Sequence, residues 1–209
     1  MWNRNLLFVI SGPSGSGKTT LIKALLQDKD LKNKLKRSIS FTTRPKRKNE
    51  KDKKDYFFIS QDEFKKNLKA KKILEWTKFL DYYYGTSLEH FKDLLKKKKH
   101  ILLCLDEKGA FKLKRLYPKR TVTIFILPPD IYTLKKRIYK REGKTAQAQL
   151  RARINLAKEQ LKQAKFYDYC LVNDSFKKTL RQLKNIILNK ITLYNNKEYG
   201  RCTLRKTFG

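Results

Sequence analysis

The residues best suited to chemistry stand near the start of the chain. Residues 12–19 read GPSGSGKT and satisfy the pattern G-x-x-x-x-G-K-[ST]. Gly12, Gly15 and Gly17 permit backbone conformations that other residues resist. The N–H groups of the loop, which also holds Pro13, Ser14 and Ser16, can therefore converge on phosphate oxygens. An apolar run precedes the loop and a helical pattern follows it, so a helix N-terminus adds favourable partial charge. In this arrangement Lys18 reaches the β- and γ-phosphates, the Thr19 hydroxyl ligates Mg²⁺, and Thr20 ends the triphosphate-binding run. The chemistry is that of a nucleoside triphosphate site.

Several elements must position this loop. Residues 6–11 (LLFVIS), 101–105 (ILLCL), 122–127 (VTIFIL) and 169–172 are short continuous apolar runs, the signature of strands buried on both faces. Helical patterns separate them, starting with residues 18–27 and ending with 175–190, where Phe176, Leu180, Leu183 and Ile187 share one face. Strands alternating with helices predict an α/β fold: a three-layer α/β/α parallel sheet core behind a phosphate-binding loop (P-loop). Residues 36–86 break the rhythm. Strands are expected at 38–42, 56–59, 73–76 and 82–84, with a turn at Gly85 and a helix opened by a Ser60–Glu63 capping box. A charged loop at 44–55 and a helix at 87–98 flank these pieces, and the whole stretch reads as an inserted subdomain. Residues 191–209 show no periodicity and read as a loosely held basic tail.

Composition sets the outer limits. The chain has 209 residues, with 52 Lys and Arg against 19 Asp and Glu, a formal charge of +33. Hydrophobic residues make up 40% and aromatics 12%, too much for an unfolded chain. The first apolar run is too short for a membrane span or a signal-peptide core. The charge suits a polyanionic partner, but the lysines are scattered rather than clustered, as compositional drift would leave them. Cys104, Cys170 and Cys202 form no CxxC pair and no zinc pattern, which places the chain in a reducing cytoplasm. Cys104 and Cys170 are expected in buried strand, His90 and His100 at the surface.

Beyond the loop, SISFTTRPKR (38–47), KDYFFIS (54–60), ILEW (73–76), YYGT (83–86), FILPP (125–129) and VND (172–174) follow one another in the order of the guanylate kinases. The chain resembles that family over roughly residues 5–190. The resemblance implies a core of residues 1–35 and 87–190, a GMP-binding insertion at about 36–86, and a lid at about 137–155. It also implies phosphoryl transfer from ATP to GMP with Mg²⁺, in purine nucleotide metabolism.

Roles follow residue by residue. Arg44 and Arg47 match the family's phosphate arginines, whose planar fork suits a phosphate better than lysine does. Tyr56 and Tyr84 match its phosphate-binding tyrosines. Glu75 matches the carboxylate that accepts both guanine N1–H and the N2 amine; Ser40 faces O6 and Thr86 is a further base contact. Adenine would leave Glu75 unpaired. Arg137, Arg141 and Arg153 align with the lid arginines that neutralise the transferring phosphoryl group, with Arg151 as an alternative to Arg153. Asp106 ends a core strand within reach of GMP, where an acid supports the Mg²⁺ shell, and Asn173 lies on the adenine side of ATP.

Three departures stand out. Cys104 replaces an acid usual in the family. The loop before Tyr56 reads KNEKDK where glycine is usual. The lid segment GKTAQAQ (143–149) lacks acids. A non-catalytic binding module is disfavoured by the intact Lys18 and Thr19, and no motif for specific nucleic-acid binding is present. The sequence leaves dGMP open as a second acceptor, and leaves a monomer and a homodimer equally open.

Overall fold

The computed structural model of the protein describes residues 5–142 and 147–206. From the N-terminus it runs β1 (Leu7–Ser11), α1 (Lys18–Gln27), β2 (Leu35–Arg37), β3 (Ser40–Thr42), β4 (Phe57–Phe58), α2 (Gln61–Lys69), β5 (Ile73–Phe79) and β6 (Tyr82–Ser87). It continues through α3 (Leu88–Lys96), β7 (His100–Cys104), α4 (Glu107–Leu116), β8 (Thr121–Leu127), α5 (Ile131–Glu142), α6 (Gln147–Lys162), β9 (Tyr169–Val172) and α7 (Phe176–Lys206).

The four apolar runs are strands of a parallel sheet in the order β2-β7-β1-β8-β9; three are central, and β9 is an edge strand with Cys170 and Val172 exposed, not buried on both faces as its apolar run implied. β1 is paired on both sides, Leu7 opposite Ile101 of β7 and Thr121 of β8. Strand pleat divides its side chains between two cores. Phe8 and Ile10 pack with Leu21, Ile22 and Leu25 of α1 and Leu183, Ile187 and Ile191 of α7. Leu7 and Val9 pack with Phe91 and Leu94 of α3 and Ala110 and Leu113 of α4. Helices therefore cover both faces, and no position along β1 can be polar until Ser11, whose hydroxyl donates to Leu105 O at 2.7 Å.

A second, four-stranded sheet has the order β4-β3-β6-β5. Its main hairpin, β5–β6, is antiparallel and carries a register shift between Ile73 and Trp76, one extra residue on β5. The strands are longer than the sequence reading, and Gly85 lies inside β6 rather than at a turn. The turn falls at Leu80 and Asp81, with Leu80 at φ 53°. Gly85 serves packing instead: a Cβ there would lie 2.8 Å from the Ile73 side chain and 3.1 Å from Glu75 O.

Other expectations need correction. β2 was not anticipated, and the strand expected at 38–42 starts only at Ser40. The chain past 190 is helical to Lys206 rather than irregular, because Ile191 continues the buried face of α7. Neither histidine is a surface group. His100 Nδ1 accepts from Leu6 N at 3.0 Å, and burial lowers its pKa to about 4. His90 is half-buried edge-on to Phe57, with ring centroids 5.6 Å apart. Cys170 is exposed and Cys104 half-buried, and both are free thiols.

Candidate active site

The glycine loop leaves β1 at the carboxyl ends of the parallel strands, where open α/β sheets gather their ligands. Two of its glycines are forced by space as well as by backbone. Gly12 has φ 139° and a Cβ there would overlap Ile126 O; Gly17, the N-cap of α1, has φ 94° and a Cβ would overlap Asn173 Nδ2. Asn173, at the end of β9, donates from Nδ2 to Ser16 O at 2.8 Å and so anchors the loop from across the sheet. Ser16 Oγ is buried without a hydrogen-bond partner among the described residues. Lys18 Nζ donates to Gly12 O at 2.5 Å and Pro13 O at 2.8 Å, which holds the ammonium over the loop it would serve.

A cleft of about 220 Å³ opens between this loop and the second sheet. Gly12, Ser14, Lys18 and Thr19 line one end. Ser40, Arg44, Arg47, Tyr56, Glu75 and Tyr84 line the other, with Cys104 and Asp106 at the carboxyl end of β7. Pro13 and Gly15 complete the loop behind its lining, and Thr20 is exposed on the first turn of α1.

Glu75 sits in the β5 bulge, 5% exposed. Its Oε1 accepts from Thr86 N at 3.1 Å and Thr86 Oγ1 at 2.5 Å. Burial pushes its pKa up to about 7; the Thr86 hydroxyl opposes the shift and the nearby Asp106 adds to it. Thr86 is thus fully buried as the partner of Glu75. Asp106 is the N-cap of α4, its Oδ1 accepting from Gly109 N at 2.9 Å. The alternation of β5 brings Glu75, Thr77 and Phe79 to the cleft and turns Trp76 and Lys78 outward.

The arginines are gathered by an acid that sequence reasoning missed. Arg44, 8% exposed, donates from Nη2 to both oxygens of Glu50 at 2.8 and 2.9 Å and from Nη1 to Pro45 O at 2.6 Å. Arg47 N donates to Glu50 Oε2 at 2.9 Å. Burial works against the Arg44 charge, and Glu50 and Tyr84 outweigh it, so its pKa is raised. The Arg44 guanidinium also lies 5.7 Å from the centre of the Tyr56 ring. Burial pushes the Tyr56 phenol well above its usual range, so it is an O–H donor at any working pH. Asp55, buried beside Tyr56, bonds Lys23 of α1 at 2.9 Å and ties the acceptor side to the helix behind the glycine loop.

The arginines expected in the lid divide. Arg153 of α6 is buried, lines the cleft and lies 5.7 Å over the Phe79 ring. Arg137 of α5 does not line the cleft; its Nη2 donates to Asn173 O at 3.4 Å, on the outer side of the glycine loop. Arg151 is exposed. The Arg141 side chain and the segment 143–146 lie outside the described residues. Glu50, Asp55 and Gly109 carried no signal, since an acid in a run of lysines and a glycine in a helix look like solvent and packing.

Comparison with known proteins finds relatives along most of the chain. A sequence model of the guanylate kinase family matches residues 4–190. The guanylate kinase of Caldanaerobacter subterraneus subsp. tengcongensis is 41% identical over 197 residues, 93% of each chain. That of Mycoplasma genitalium is 39% identical over 188 residues, 90% of this chain and 77% of the relative. The crystal structure of guanylate kinase from Anaplasma phagocytophilum superposes with a TM-score of 0.70 at 27% identity, covering 91% of this chain and 88% of that one. With a phosphate-binding glycine loop, a buried carboxylate and paired arginines around one cleft, the chain belongs to the guanylate kinase family.

Proposed function

We propose that this protein transfers the γ-phosphoryl group of ATP to GMP, giving ADP and GDP, and that the cleft between the glycine loop and the second sheet is where it does so. The observation that carries the reading is that Lys18 and Glu75 line one cleft, so a phosphate donor and a guanine can be held facing each other. A GMP phosphate oxygen forms the new bond to Pγ as the bond from Pγ to the β-phosphate oxygen breaks. The attacking oxygen is already anionic, so no general base is required. Catalysis then rests on positioning and on neutralising spread negative charge.

The roles assigned are these. The N–H groups around Gly12, Gly15 and Gly17 cradle the ATP phosphates and Lys18 spans the β- and γ-groups. Arg44, Arg47, Tyr56 and Tyr84 hold the acceptor phosphate. Glu75, as carboxylate, accepts from guanine N1–H and N2, with Ser40 and Thr86 beside it. Arg153, with Arg137 and Arg141, supplies charge to the transferring group, and Asn173 borders the adenine side.

Thr19 and Asp106 both line the cleft, and no cluster of three or more His, Cys, Asp or Glu able to hold a metal exists among the described residues. Such a sparse oxygen set fits Mg²⁺, which keeps its waters and is carried mainly by substrate phosphates. Thr19 would hold it directly and Asp106 through its shell; the ion shields the phosphate charges. The second sheet, about residues 36–86, serves as the acceptor-binding insertion on a core of 1–35 and 87–190, and about 137–155 as the lid.

No helix among the described residues is long and apolar enough to cross a membrane. We place the protein in a reducing cytoplasm, where Cys104 and Cys170 would stay thiols. A reader of the guanine edge does not sense the 2′-hydroxyl, so dGMP serves as a second acceptor.

The test is ADP formation from Mg-ATP with GMP, dGMP, AMP, UMP and CMP in parallel, with Lys18→Ala and Glu75→Ala. GMP-selective turnover lost in both variants is expected. Turnover that favours another monophosphate would overturn the acceptor assignment, and folded protein with no turnover would overturn the reaction.

A further inference from the structure

Gly109 is a helical residue that its backbone does not explain. It occupies the third position of α4, behind the N-cap Asp106, and is not among the glycines with positive φ. A glycine in an ordinary helical conformation is less favourable than alanine, so some other need keeps alanine out. Space supplies that need. A Cβ on Gly109 would lie 2.6 Å from Glu75 Oε2 and 3.1 Å from Glu75 Cδ. Real Cβ atoms do not approach oxygen so closely, so one group would have to yield.

Neither group can yield freely. Glu75 is held at Oε1 by the Thr86 N–H and hydroxyl, and its backbone is fixed in the β5 bulge. α4 is fixed by the Asp106 cap and by Ala110 and Leu113, both fully buried against the sheet. The atom that must move is therefore the end of the Glu75 side chain, away from α4 and off its seat.

We propose that Gly109 is a specificity-determining position: its missing side chain is the seat of the Glu75 carboxylate, and one added methyl group would displace the carboxylate from the guanine edge. This inference rests on the reading of Glu75 as the guanine acceptor. Gly109 acts through Glu75 and touches no substrate itself.

Gly109→Ala tests it, with kcat and KM measured for GMP and AMP at saturating Mg-ATP, and KM for ATP measured separately. Displacement on the scale of 1 Å should lower kcat/KM for GMP by on the order of 10²-fold, narrow the GMP-to-AMP ratio and leave KM for ATP unchanged. In the Glu75→Ala background the same change should add little, because only the 3.3 Å approach to Leu105 Cβ remains. Wild-type GMP selectivity in Gly109→Ala would overturn the inference, as would an undiminished effect in the Glu75→Ala background. If Gly109→Ala folds poorly, the double variant Gly109→Ala/Glu75→Ala must regain the Tm of Glu75→Ala; failure to do so places the clash elsewhere and sinks the proposal. Full GMP selectivity in Glu75→Ala alone would overturn the base-reader reading and this inference with it. Loss in Glu75→Ala with no loss in Gly109→Ala removes only the inference.

Discussion

The glycine loop between β1 and α1 and the β5–β6 hairpin face each other across one cleft, yet they are made from different materials. The loop presents backbone: glycines in left-handed conformations, an anchor through Asn173 and Ser16 O, and one ammonium held by carbonyls. The acceptor side presents side chains: a carboxylate in a bulge, two arginines around Glu50, and aromatic rings beneath the guanidinium of Arg44. Backbone dipoles do not titrate and need no partner to stay polar. Buried ionisable side chains do both, so the acceptor side should respond to pH and to isosteric changes that the loop would ignore.

The largest effect should come from the loop's single charge. Lys18→Ala removes the group facing the developing phosphate charge and should lower kcat by roughly 10²–10³-fold with Tm unchanged, read by ADP formation and a thermal melt. Next is Glu75→Gln, nearly isosteric, which turns an acceptor into a donor opposite guanine N–H groups. A loss of roughly 10²-fold or more in kcat/KM for GMP, with KM for ATP unaffected, is expected. Equal losses for GMP and ATP would erase the distinction between the two sides.

Arg44→Lys should be milder. Lysine keeps the charge but cannot hold both Glu50 oxygens, Pro45 O and a phosphate at once, and KM for GMP should rise roughly tenfold. An unchanged KM would mean that Arg47 alone holds the phosphate.

The pH response is the finest discriminator. Burial raises the Glu75 pKa in the folded protein to about 7, above the ordinary 4.5 of a glutamate, so folding favours the protonated form. Its contribution to stability is full below the unfolded pKa and declines as pH rises through 7, by about 3 kcal/mol in all. If GMP is read by the Glu75 carboxylate as proposed, GMP affinity should rise over the same interval. His100 acts oppositely: its pKa is lowered to about 4, so its contribution is lost as pH falls from 6.5. Subtracting the Tm–pH profile of Glu75→Gln from that of the wild type isolates the Glu75 part. A flat difference between pH 5 and 8 would refute it, while ATP affinity should stay level across the range.

Legibility in the sequence follows the same division. The glycine loop is local, eight residues whose spacing carries its chemistry, and three of the four apolar runs announce strands covered on both faces; the fourth, β9, lies at the sheet edge with Cys170 and Val172 exposed. The acceptor side depends on which residues meet after folding. Glu50 lies in the basic run PKRKNEKDKK and nothing local says that its carboxylate is sandwiched by Arg44 and Arg47. The hairpin turn at Leu80 and Asp81 lacks glycine or asparagine, so Gly85 drew the turn instead. The resemblance supplied Glu75 and Thr86 as base contacts, but their mutual hydrogen bonds needed the register of β5 against β6. His100 sits among four lysines at 96–99 and reads as surface, although Leu6 N turns it inward.

The central position of β1 has a consequence for how the chain is made. Its five buried residues pair only with β7 and β8, roughly 100 residues downstream. At a synthesis rate of about 5–20 residues per second, this apolar strand emerges many seconds before either neighbour exists. The phosphate loop it carries cannot acquire its shape earlier, because Ile126 and Asn173, the groups that fix Gly12 and Gly17, come later still. Nucleotide binding is therefore a property that the nascent chain gains only after Asn173 has been made, and until then the strand is a segment for chaperones to guard.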